Sequence, residues 1–285
     1  RSTGANAGWG PGEWLVVEAD ESDRSLLKLH PAIAVVTNAE LDHHTTYASS
    51  RDVDDTFRAF LALAEQAVVP PDLARLAPAP PHVFDADPEL SESGSRFAFD
   101  GHEVVLRVPG AHNARNAAAA LTAVKLAGAD VEAAVRRLAT FEGAGRRFER
   151  LGPNVVDDYA HHPTEVAATL AAARTLHPRR VIACFQPHLY SRTQREARAF
   201  GAALAAADLT VVLDVYPARE RAEDYPGVTG LLVAQATADA APGKRVVWAR
   251  DQATAIAFLH RELHDGDLLI TLGAGDVDRV GRALI

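Results

Sequence analysis

NVVDDYAHHPTEV, residues 154–166, is the stretch whose reading decides the fold. Val155 and Val156 open a short apolar run, and Asp157 and Asp158 end it. Tyr159, His161 and His162 then crowd one connection, and Pro163 takes a favoured first helical position. This is a strand, a polar loop and a helix in direct succession. The same unit recurs downstream. RVIACF (180–185) precedes a helix at about 193–207, and LTVVLDV (209–215) precedes a proline- and charge-rich loop. KRVVWA (244–249) precedes the helical DQATAIAFLHREL (251–263), and DLLITL (267–272) enters GAGDVDRVGRAL (273–284). Each strand is nearly continuous in apolar residues, as in a parallel sheet covered by helices on both faces. Residues 151 onward therefore read as a Rossmann-like α/β domain.

Upstream the pattern differs. Residues 14–18 predict a buried strand running into VVEADESD (16–23), and a second strand is expected at about 32–37. Apolar residues on one face of RDVDDTFRAFLALAEQ predict a helix over 51–66. Prolines break up 68–100 into short strands and loops. VPGAHNARNAAAALTAVKLAGAD (108–130) turns at Pro109-Gly110 and becomes an alanine-rich helix that Gly128 terminates. Asp130 caps a further helix, VEAAVRRLATF. The basic loop EGAGRRFER (142–150) closes this half, so a domain boundary is expected near Thr140–Leu151.

The composition narrows the function. With 48% apolar and 24% charged residues, 285 residues can bury ordinary cores. A formal net charge of −9 argues against a broad nucleic-acid or anionic-membrane surface. No apolar run reaches the roughly 18–20 residues of a membrane span. The single cysteine, Cys184, forbids an intrachain disulfide, fits a reducing cytoplasm, and reads as a buried strand residue. The loop-like start at Arg1 and the lack of methionine suggest a piece of a longer protein.

In open α/β sheets ligands collect at the carboxyl ends of strands. Five polar clusters fall at such expected ends: Glu18/Asp20/Glu21, Asn38 to His43, Asp157/Asp158, Gln186/His188 and Gly273/Gly275/Asp276. Glu18 with His43 could hold a hard cation, since Mg²⁺ needs only one or two protein ligands beside water and phosphate. A merely solvated carboxylate is the alternative. His112, Asn113 and Asn116 at a helix start suit a phosphate or nucleobase, or are an ordinary cap with a surface amide. Arg146, Arg147 and Arg150 offer planar forks to phosphate, or form a solvated basic loop. The histidines carry no tight zinc spacing. A metal-dependent phosphoesterase would need further acidic partners that LDHH lacks.

VVEADESDRSLLKLHPAIAVVTNAELDHH, GAHNARNAAAAL, GAGRRFE, VVDDYAHHPTEV, FQPHLYSRT and LLITLGAGDV occur in this order. Together they resemble the Mur ligase family, most closely the branch that joins L-alanine to UDP-N-acetylmuramate in peptidoglycan synthesis. The likeness is weakest at about 65–105. It implies residues 1–145 as a central ATP-binding domain incomplete at its N-terminus, with a parallel sheet, and 146–285 as a C-terminal Rossmann-like ligase domain. The Gly-x-x-Gly-Lys-Thr phosphate loop of the family is missing from this stretch of chain, so it would hold ATP poorly by itself.

The implied reaction is an ATP-dependent, ADP-forming ligation through an acyl phosphate, in the cytoplasm. The implied site is Glu18 as the Mg²⁺ ligand, His43 at a second metal position beside the activated carboxylate, and His112, Asn113 and Asn116 on the nucleotide. Arg147 would reach the phosphates, Asp158 would hold the ATP ribose, and His188 and Arg192 would lie near the acyl group and the incoming alanine. Asp20, Glu21 and Asp23 would shape the turn after Glu18. Two positions depart from the family: Leu189 stands where arginine is usual and Thr45 where aspartate is frequent. A related ligase that recycles murein tripeptide, and a binding fragment without turnover, remain alternatives.

Overall fold

The computed structural model describes residues 8, 10–43 and 46–285. The chain forms two compact units. One runs to Leu90 and takes Gly94–Arg107 and Ala111–Phe141; the other takes Ser91–Ser93, Val108–Gly110 and Glu142–Ile285.

In the first unit, β1 (Ile33–Val35), α1 (Ser50–Ala62), β2 (Gln66–Val69) and β3 (His82–Val83) build a parallel three-stranded sheet in the order β1-β2-β3. Its core joins Leu26, Ala34, Val36, Phe60, Leu61, Val69, Leu73 and Leu76. β4 (Glu89–Ser91), β5 (Gly94–Phe99) and β6 (His102–Leu106) form a second sheet, with β5 and β6 joined by a hairpin turn at Asp100-Gly101, both at positive φ.

α2 (Ala111–Leu126) ends as the sequence predicts. Gly128 sits at φ 71°, its amide donates to Lys125 O, and that of Ala129 donates to Val124 O. This paired termination satisfies carbonyls that the helix end would otherwise orphan. The Asp130 side chain then accepts from the Ala133 amide and caps α3 (Val131–Leu138). Asp130→Ala is expected to cost about 1 kcal/mol of stability, read from denaturant unfolding with the transition slope unchanged.

The expected strand at 14–18 is not formed. Trp14, Leu15, Val16 and Val17 are 53%, 69%, 93% and 54% exposed. A strand exists only through a paired neighbour, and among the described residues β1 pairs with β2 alone. Apolar sequence without such a partner forms no strand however well its residues suit one. The helix expected over 51–66 stops at Ala62, because Gln66 donates its amide to Ala32 O and joins β2.

In the second unit six strands, β7 (Glu149–Gly152), β8 (Val155–Asp158), β9 (Arg180–Phe185), β10 (Leu209–Leu213), β11 (Arg245–Ala249) and β12 (Asp267–Leu272), lie in the order β11-β10-β9-β12-β8-β7. All are parallel but β7, an antiparallel edge strand that begins at the end of the loop expected at 142–150. Successive residues serve opposite faces. Val156, Val181, Ala183, Phe185, Ile270 and Leu272 belong to one core, whereas Val155, Ile182, Cys184, Val211 and Leu269 belong to another.

The first core takes residues from α4 (Pro163–Arg174), α5 (Tyr190–Leu204) and α6 (Gly230–Ala240), and the second from α7 (Gln252–Glu262) and α8 (Asp278–Arg282). The doubly covered sheet is therefore as expected. α6 was not foreseen, and α5 starts at Tyr190 rather than 193 because the Thr193 amide already bonds to Leu189 O. Cys184 is fully buried, which pushes its thiol up to about 12 and leaves it an inert core residue.

Candidate functional site

β12 lies between β8 and β9, so the chain reverses its direction of travel across the sheet at this place. A crevice at the carboxyl ends of the strands opens at such a reversal. The segments leaving β8, β9 and β12 there are DYAHH, QPHLYSR and GAGD.

Arg146 ties two of them together. Its Nε donates to Asp157 Oδ2 at 2.9 Å, Nη1 to Gly275 O at 2.8 Å and Nη2 to Gly273 O at 2.7 Å. Asp157 is fully buried, and its other oxygen accepts from the Thr271 hydroxyl at 2.6 Å. Arg146 is therefore a clamp between the end of β8 and the glycine loop after β12. The next residue turns the other way. Arg147 is half exposed, donates to Glu165 Oε1 at 3.2 Å, and lies over the Tyr159 ring at 5.4 Å.

Asp158 turns both carboxylate oxygens to backbone amides of its own unit. It is 4% exposed; Oδ2 accepts from the Phe148 amide and Oδ1 from the Ala160 amide, each at 2.8 Å. Burial pushes its carboxyl up to about 6, against the pull of those amides and of Arg147. It holds the 146–148 segment against the end of β8 and does not present an oxygen to solvent.

Glu165 caps α4 by accepting from the amides of His161 and His162, at 3.0 and 3.2 Å. Burial raises its carboxyl, but the neighbouring His161, its amide and Arg147 outweigh this and hold it below the ordinary value. The His161 ring meets Tyr159 and His188 edge-on, with centroids 5.2 and 6.1 Å away.

His188 and Arg192, each expected near the acyl group and the incoming alanine, are brought together: Arg192 Nη1 donates to His188 Nδ1 at 3.3 Å. An arginine cannot accept, so Nδ1 carries the lone pair and the proton of the neutral ring sits on Nε2. Arg192 is buried at 3% exposure. Between them Leu189 adopts φ 69°, a costly backbone state for a branched residue.

In the first unit the acidic cluster divides. Asp20 accepts from the Ser22 amide and Asp23 from the Ser25 amide, so both shape the turn. Glu21 instead bonds His43 Nε2 at 3.1 Å, and that bond holds its carboxyl below the ordinary value although burial opposes it. Tyr47 Oη donates to Glu21 O at 2.6 Å, and Arg24 lies over the Tyr47 ring.

Glu18 is exposed in the stretch that forms no strand. Among the described residues no three His, Cys, Asp or Glu side chains gather as a metal site. A hard cation that keeps most of its shell of water and phosphate needs no more than one or two such protein oxygens. His112 and Asn113 are half-buried and Asn116 is exposed on the first turns of α2. Thr45 lies outside the described residues.

The Arg146 clamp and the contacts of Tyr216 with His188 and of Glu220 with Ser191 were missed from sequence. Their partners lie far along the chain, and no local spacing signals them.

The sequence profile of the family described as Mur ligase, glutamate ligase domain, matches residues 146–275. A UDP-N-acetylmuramate–L-alanine ligase of Rubrobacter xylanophilus is 41% identical over 99% of this chain and 68% of its own length. One of Renibacterium salmoninarum is 42% identical over 99% of this chain and 65% of its own. The chain thus spans about two thirds of the curated relatives it matches.

Among solved structures, the UDP-N-acetylmuramate–alanine ligase of Thermotoga maritima superposes with a TM-score of 0.72 at 24% identity, covering 93% of this chain and 61% of that one. A murein peptide ligase of Psychrobacter arcticus gives 0.60 at 20%, over 91% and 58%. These two show the fold. Among the described residues no helix is long and apolar enough to cross a membrane. With the identity of its curated relatives running almost end to end, this chain belongs to the Mur ligase family.

Proposed function

We propose that the whole protein is a cytoplasmic ATP-dependent amide ligase that joins L-alanine to UDP-N-acetylmuramate and releases ADP and phosphate. The observation that carries this reading is the 41% identity to a curated ligase of that name across nearly the whole chain. Residues 1–145 would serve as the ATP-binding domain and 146–285 as the domain that receives the amino acid.

In the reaction the lactyl carboxylate takes the γ-phosphoryl group of ATP. The alanine amine then attacks the acyl carbon and phosphate leaves. Such transfers depend on positioning and charge neutralisation. Arg147 is exposed enough to swing from Glu165 to a phosphate. The paired His188 and Arg192 suit the carboxylate of the incoming amino acid. His112, Asn113 and Asn116 would meet the nucleotide. Mg²⁺, held by Glu18 and by phosphate, would neutralise charge on the phosphates, and His43 would orient Glu21 beside it. Asp158 would act indirectly, by fixing the segment that carries Arg147.

With ATP and Mg²⁺, the complete protein is expected to release ADP only when UDP-N-acetylmuramate and L-alanine are both present. Release driven by a murein tripeptide in place of alanine would overturn this specificity.

A further inference from the structure

α5 begins without a cap of its own. Its N-cap residue is Leu189, which has no side-chain acceptor to offer, and the strained φ of 69° lies at that same residue. The loop between β10 and α6 supplies what is missing. Glu220 accepts from the Ser191 amide through Oε2 at 3.0 Å and from the Ser191 hydroxyl through Oε1. A carboxylate there satisfies a first-turn amide and complements the positive end of a fifteen-residue helix.

The same loop grips the turn before α5. The Tyr216 amide donates to Pro187 O at 2.8 Å, and Tyr216 O accepts from the Leu189 amide at 3.0 Å. The Tyr216 ring stacks on His188 at 5.8 Å with 14° between the planes, and Tyr225 stacks on Tyr190. The Tyr216 ring also lies close to the glycine loop after β12: a Cβ on Gly275 would come within 2.7 Å of it. The hydrogen bonds and stacked rings of this loop converge on residues 187–191, in the stretch that carries His188 and Arg192.

We propose that Glu220 is a positioning residue: with Tyr216 it fixes the start of α5, and so sets where His188 and Arg192 meet the incoming amino acid. The assignment of that pair to the amino acid rests on the function proposed above; the loop's grip on His188 does not. Glu220 lies on a separate loop, 29 residues from its partner, and acts through Ser191 rather than on a reacting atom.

The test uses the complete protein with Glu220→Ala, Glu220→Gln and Ser191→Ala. Glu220→Ala is expected to raise KM for L-alanine roughly tenfold, since small misplacements of a positioned group are costly, with KM for ATP unmoved. Glu220→Gln keeps one acceptor and is expected to recover most of the loss. If KM for alanine stays put, or both KM values move together, the proposal is overturned. Should Glu220→Ala fail to fold, Ser191→Ala, which removes only the hydroxyl bond, carries the same comparison.

The ¹⁵N signals of the His188 ring separate the two readings. If the wild-type protein shows no alanine-dependent ADP release, the proposed function fails, and these signals alone decide the positioning. A changed balance of Nδ1 and Nε2 protonation in Glu220→Ala supports it, and identical spectra overturn it.

Discussion

Arg146→Ala is expected to destabilise the second unit by about 3–5 kcal/mol, the usual cost of stranding one partner of a buried ion pair. Asp157 is fully buried, and without the guanidinium it keeps the Thr271 hydroxyl as its side-chain partner among the described residues. Two carbonyls, of Gly273 and Gly275, lose their donors in the same step. Lysine would not rescue the loss, because one ammonium cannot reproduce a planar fork aimed at three acceptors. The neighbouring substitution gives the contrast. Arg147→Ala breaks only a half-exposed pair with Glu165, worth about 0–1 kcal/mol, yet it is expected to abolish most ligation. Denaturant unfolding beside ADP release on both variants checks the division of labour. Equal stability losses would refute it.

The second large effect depends on pH. The Asp158 carboxyl is held at about 6 in the folded chain, against an ordinary 3.8. The folded state therefore binds the proton more tightly than the unfolded chain does between these values. The stability this group contributes is present in full below pH 3.8 and is lost as pH rises through 6. At 1.36 kcal/mol for each pKa unit the loss comes to about 3 kcal/mol. Other carboxylates run the opposite way: the Arg180 guanidinium holds Asp267 low, so that pairing weakens in acid. A difference measurement isolates Asp158. The stability advantage of wild type over Asp158→Ala is expected to shrink by about 2.4 kcal/mol between pH 4 and pH 7. A constant difference would show that burial does not control this carboxyl.

Much of the second unit was legible because its strands are short apolar runs bounded by polar ends, and that pattern is local. Asp130 and Gly128 were legible for the same reason: a cap and a helix stop are decided within a few residues. α6 escaped because GLLVAQATADA follows a Pro-Gly turn with no capping bond from Thr229 and lacks a clear polar face. The strand at 14–18 failed the other way, since Val16 and Val17 have the right character but a strand is a relation to a neighbour. At the site, the places of His188 and Arg192 could be read from the motif FQPHLYSRT, though not their contact, since His188 lies before α5. The inward turn of Arg146 could not. Arg146 and Arg147 are arginines in one loop, and the inward turn of the first depends on its φ of 55° and on acceptors 127 and 129 residues away.

The irregular edge of the six-stranded sheet bears on self-association. β7 is short and antiparallel, and its register slips between Arg150 and Gly152. The Ile285 side chain lies against Gly152, 2.7 Å from where a Cβ would stand. At the opposite edge β11 opens on Lys244 and Arg245. A flat, bare margin would recruit a strand from a second molecule, whereas slipped register, a covering side chain and basic residues all discourage it. The borders of the sheet thus disfavour strand addition from a second molecule.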